Sequence, residues 1–156
     1  MNPKNDDEPP LAFEPLTEDE LRVLELRWYE GRMLPFADWL FAFVDRNRDE
    51  ILRLAGGEAD PDALLAATRL LIVRRGSVHL AAELTEQMHE IENELWYRGE
   101  KGEHDRTGIK LDWTTRHAAA WRRWRIREYL FVADCCASRV VARLVAGAED
   151  LGSGSV

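Results

Sequence analysis

Apolar residues recur three and four positions apart in one stretch of this chain after another, and no stretch alternates apolar and polar residues as a half-buried strand would. A chain with helical period throughout and no hairpin signals has one broad solution: helices packed on helices. Local punctuation divides the pattern. Thr17 and Glu20 stand at capping-box spacing, with Leu16 and Leu21 placed as a hydrophobic staple, so the first helix is expected from there through Leu24 and Trp28 to Gly31. Pro35 opens a second helix carrying Phe36, Trp39, Leu40, Phe43, Val44, Ile51, Leu52 and Leu54, which Gly56-Gly57 ends. Asp60-Pro61 starts a third, through Leu64, Leu65, Leu70, Leu71 and Val73.

Residues 77–98 continue in helical pattern, with Val78, Ala82, Leu84, Met88, Ile91 and Leu95 as apolar positions and Gly99 as a stop. After a glycine-bearing charged turn, a last long helix is predicted over 113–146, including the least polar window of the chain, Tyr129 to Ala137. The expected architecture is all-α: a four- to five-helix bundle built around a long antiparallel hairpin of about 77–98 with 113–146. Residues 1–15, acidic and proline-rich, read as a disordered arm, 16–146 as a single helical domain, and 147–156 as a flexible tail.

A chain of 156 residues with a 46% hydrophobic share can bury one core, and its net charge of -8 argues against nucleic-acid binding by bulk positive charge. The charge is segregated. Glu83, Glu86, Glu90, Glu92 and Glu94 lie between Arg75 and Arg98 with no basic residue among them, whereas residues 113–146 hold seven arginines against Glu128 and Asp134. Reflection about a turn centred near Asp105 places the glutamate run opposite the arginine run. An ion-pair network, or an anion contact at any unpaired arginine, is expected among Glu83, Glu90, Glu94, Arg116, Arg122, Arg123, Arg125 and Arg127. Trp28, Trp39, Trp96, Trp121 and Trp124 are candidate interface or core aromatics, with tryptophans stacking on arginines.

Chemistry-bearing motifs are sparse. Glu86-Gln87-Met88-His89 has the E-x-x-H spacing that sets a carboxylate and an imidazole on one helical face, and Glu92, His117 and Glu128 are the further ligands such a site would draw on. A ferritin-like di-iron centre needs two such helices, and the chain has one. Neither a nucleophile elbow nor a phosphate-binding glycine loop occurs. The adjacent pair Cys135-Cys136 has no disulfide geometry within a helix and no second ligand pair, so the thiols read as reduced.

The acidic N-terminus has no signal-peptide character, and no apolar run reaches membrane-spanning length, so a cytoplasmic location is expected, with no membrane partner. The leading functional reading is a non-enzymatic cytosolic protein acting through protein–protein contacts, as an accessory, adaptor or regulatory subunit, and homo-oligomeric, with no catalytic residues and no cofactor. The alternative is a ferritin-like metal-binding bundle with a divalent or iron centre on the Glu86 and His89 helix. A third is nucleic-acid binding through the arginine and tryptophan helix.

Overall fold

The computed structural model describes residues 15–57 and 60–153. These are all-α, with eight helices and no strand among the described residues: α1 (Glu18–Tyr29), α2 (Leu34–Arg46), α3 (Arg48–Leu54), α4 (Pro61–Arg75), α5 (Leu80–Glu100), α6 (Arg106–Arg116), α7 (Ala118–Cys135) and α8 (Ala137–Ser153). Most of the expected arm, 1–14, and the last three residues lie outside the described range.

Local signals act where they were read. The Thr17 hydroxyl accepts from the Glu20 amide at 3.1 Å while the Glu20 carboxylate accepts from the Thr17 amide at 2.9 Å, satisfying two amides at the start of α1. Asp60 caps α4 by accepting from the Ala63 amide. Gly31 and Gly76 take the left-handed conformation that closes α1 and α4.

Three breaks and three extensions depart from expectation. The second predicted helix divides at Asn47, whose backbone and side-chain amides both donate to the Phe43 carbonyl, at 3.0 and 2.8 Å, and so close α2 there. The predicted helix over 113–146 begins earlier, at Arg106, and bends at His117 and at Cys136 with neither glycine nor proline involved. Tertiary packing accounts for both bends: they let α6 lie along α5 and α7, and let α7 and α8 each lie against α2 and α4. The long hairpin therefore closes between α5 and the short α6, not along the full length of 113–146. Helix α5 also runs past Gly99 to Glu100, because the left-handed stop is Gly102. The backbone of α8 continues in helix beyond residue 146 to Ser153.

Helix α2 is central. Phe36, Ala37, Leu40, Phe41, Phe43 and Val44 are buried along it, joined by Leu24 of α1, Met33, Ile51, Leu64, Leu71 and Ile72, and by Tyr129 to Ala133, Val140 and Leu144 of α7 and α8. Each large side chain removed from water here contributes about 1.5–3 kcal/mol. Leu95, Ile109 and Trp113 are buried outside this cluster, as a smaller apolar contact within the α5–α6 hairpin.

Candidate functional site

Two features stand out: a buried charge network where α1, α5 and α7 meet, and two uncovered apolar helix faces. In the network, Glu128 of α7 retains 3% of its side-chain exposure. Its carboxylate accepts from Arg27 of α1 at 2.6 Å and pairs with Arg125, one turn earlier on α7, at 3.4 Å. Arg125 also pairs with Glu86 of α5, so one chain of charges ties three helices together. The Arg125 guanidinium lies 4.7 Å from the ring centres of both Trp121 and Phe36, and that of Arg27 lies 6.0 Å from Phe36. Aromatic faces thus shield the pairs from water, which strengthens them and raises the cost of breaking them. Burial pushes the Glu128 carboxyl above its ordinary value, against the pull of Arg125 and Arg27.

Of the remaining charges, most find partners that reflection about the turn does not supply and three find none among the described residues. Arg127 donates to Glu20 of α1 at 2.9 Å, not to Glu83, and lies over Trp124. That contact holds the Glu20 carboxyl at about 2. Glu83 is buried and folds back on the start of its own helix, accepting from the Ser77 hydroxyl and the Val78 and His79 amides. Glu94 pairs with Arg98 along α5, and Arg116 with Asp112 along α6. Glu90 and Arg122 are exposed, Arg123 is half-buried, and none of the three has an ion pair among the described residues. Beside the network the Tyr129 hydroxyl is buried without a hydrogen-bond partner among the described residues, and burial raises its pKa far above the usual phenol value.

The metal-ligand candidates are not drawn together. Glu86 is engaged by Arg125 and Glu128 by two arginines, while His89, Glu92 and His117 are exposed. Among the described residues no group of three or more His, Cys, Asp or Glu side chains could hold a metal ion. Cys136 is buried and Cys135 exposed, both as free thiols. A cleft of about 390 Å³ opens at the α5–α6 turn, and most of its polar lining is already committed: Arg98 pairs with Glu103 at 2.9 Å and Asp112 at 3.1 Å, and Asp105 caps α6 at the Gly108 amide, which leaves His104 as the lining side chain with no partner among the described residues.

The uncovered faces lie on α1 and α5. On α1, Val23, Leu26 and Tyr29 are more than half exposed, and Leu34 follows just after the Gly31 turn. On α5, Leu80, Leu84, Met88 and Trp96 are exposed. Leu84 and Met88, expected among the packed apolar positions of that helix, face outward because α6 covers only its C-terminal half through Leu95. Of the candidate aromatics, Trp28, Trp39, Trp121 and Trp124 are half-buried against the rest of the molecule and Trp96 is 68% exposed. Sequence reasoning missed Glu20 and Arg27 as the partners of α7, although both sit on the helix with the clearest start signal.

No helix among the described residues is long and apolar enough to cross a membrane. Comparison with protein families, with curated proteins and with solved structures finds no match for the chain.

Proposed function

We propose that this chain is a non-enzymatic cytosolic protein, a helical bundle that acts through protein–protein contacts as an accessory, adaptor or regulatory subunit and associates with itself. The observation that carries this reading is the pair of uncovered apolar faces on a molecule whose two buried carboxylates, Glu83 and Glu128, are already engaged within the chain. Clustered large apolar side chains left in water mark contact surfaces.

The α1 face suits a second copy. Its rim carries both signs, with Arg22 and Glu30 at either end of Val23, Leu26 and Tyr29, each exposed and held only by a surface pair, to Asp19 and Arg32, that a second copy can displace. Two α1 helices crossing antiparallel about Leu26 set Arg22 of each opposite Glu30 of the other, the self-complementarity that a two-fold interface needs. Sedimentation equilibrium tests it. The chain is expected to run as a dimer or larger at tens of micromolar, and a Leu26→Glu, Tyr29→Glu variant as a monomer with unchanged helical circular dichroism. A wild-type chain that stays monomeric, or a variant that still associates, overturns the assignment.

A further inference from the structure

The α5 face differs from the α1 face in charge, and the difference points to another occupant. Leu80, Leu84, Met88 and Trp96 fall four or eight residues apart with Glu92 between the last two, so they form one inclined ridge, each apolar member between 51% and 68% exposed. Beside the ridge runs a groove floored by Ala81 and Thr85, both exposed. The Thr85 hydroxyl donates to the Ala81 carbonyl at 3.0 Å, so its methyl is what the groove presents and covering it strands no polar group.

The charge on this face is of one sign. Glu83, Glu86 and Glu94 are each engaged within the chain. Glu90 and Glu92 remain exposed, with no ion pair among the described residues and no basic residue on α5 before Arg98. A second copy packed antiparallel about Met88 would bury Glu92 against Leu84 and gather four carboxylates along the seam, which disfavours self-pairing here. An anionic lipid surface is repelled for the same reason.

We infer that the α5 ridge is the docking face for an amphipathic helix of a partner protein, one with apolar residues at three- and four-residue spacing bordered by lysine or arginine. This rests on the protein-contact reading above. Packing on an i, i+4 ridge sets the partner helix at about 50° to α5, with its apolar side chains in the groove over Ala81 and Thr85 and its cations beside Glu90 and Glu92.

Three labelled synthetic peptides test this by fluorescence anisotropy on the full chain: a leucine and alanine amphipathic helix bordered by lysines, the same helix bordered by glutamates, and a scrambled peptide of the lysine composition. The lysine helix is expected to bind at least about tenfold more tightly than either control. Leu84→Asp with Met88→Asp should remove that advantage without loss of helical signal, and Glu90→Lys with Glu92→Lys should transfer it to the glutamate helix. Equal binding of the scrambled peptide, or binding untouched by the Leu84 and Met88 changes, overturns the inference. Sedimentation of the same samples separates the two readings: peptide failure with self-association intact removes the α5 assignment alone, and failure of both removes the protein-contact reading.

Discussion

The central cluster around α2 and the α5–α6 hairpin are built from the same kind of sequence, apolar residues at helical spacing with tryptophans among them, yet they differ in how fully that apolar surface is covered. Leu40 and Val44 of α2 are fully buried because α7 and α8 both lie against that helix. Leu84 and Met88 of α5 are more than half exposed because the only long stretch of helix packed along α5 is α6, which reaches just its C-terminal half. Helical spacing states which residues share a face; it does not state whether anything lies against that face.

The contrast can be broken most strongly at α2. Leu40→Ala is expected to cost about 4 kcal/mol in urea unfolding, from lost burial plus an unfilled cavity, whereas Leu84→Ala should cost well under about 1 kcal/mol. Glu128→Ala leaves Arg27 without its carboxylate at the α1–α7 junction, while Arg125 keeps Glu86, and is expected to cost about 3 kcal/mol; Glu128→Gln, which keeps hydrogen-bonding atoms in place, should cost less. Leu95→Ala, within the hairpin contact, is expected to cost about 2 kcal/mol, with faster amide exchange confined to α5 and α6. Exchange spreading through α2 would instead show that the hairpin and the central cluster open together.

Two smaller effects sharpen the picture of the charge network. Tyr129→Phe removes a buried hydroxyl that has no partner and should leave stability unchanged or raise it by up to about 1 kcal/mol; a loss larger than that would show the hydroxyl is satisfied. The Glu20 carboxyl, held at about 2 by Arg127, has a folded value below its ordinary 4.5. Its contribution is therefore present above pH 4.5 and lost as the pH falls through about 2. Titration followed by carboxyl NMR should show this depressed value, and Arg127→Ala should return it toward the ordinary one.

Local features were legible in the sequence and packing-dependent ones were not. Thr17 with Glu20, and Asp60 with Pro61, act through neighbours three residues away, so their roles follow from the residues alone. The bends at His117 and Cys136 carry no helix-breaking residue; the first lets α6 lie along α5, and the second lets α7 and α8 both lie against α2 and α4. Reflection about the turn set the glutamate run of α5 opposite the arginine run, and Glu86 with Arg125 is an ion pair between the two. The reflection failed for Arg127, because α1 supplies Glu20 on that side of α7, and a helix about a hundred positions upstream leaves no trace in the spacing of the arginine run. The aromatic shielding of Arg125 and Arg127 was legible from the alternation of Trp121 and Trp124 with those arginines. The outward turn of Leu84 and Met88 was not, since it depends on where α6 stops.

The partnership of α2 with α7 and α8 also sets an order of events during synthesis. Helix α2 is complete at Arg46 and α3 and α4 supply part of its cover soon after, but the two helices that pack most extensively along it, α7 and α8, begin only at Ala118. At ordinary elongation rates the interval is on the order of 10 s, during which Phe36, Leu40 and Val44 lack the cover that α7 and α8 provide. The α5–α6 hairpin is made from consecutive helices and can close as soon as it emerges. The nascent chain thus completes its peripheral element before its centre, and the ribosome-bound intermediate presents the α2 face to any chaperone that recognises exposed aromatic and leucine side chains.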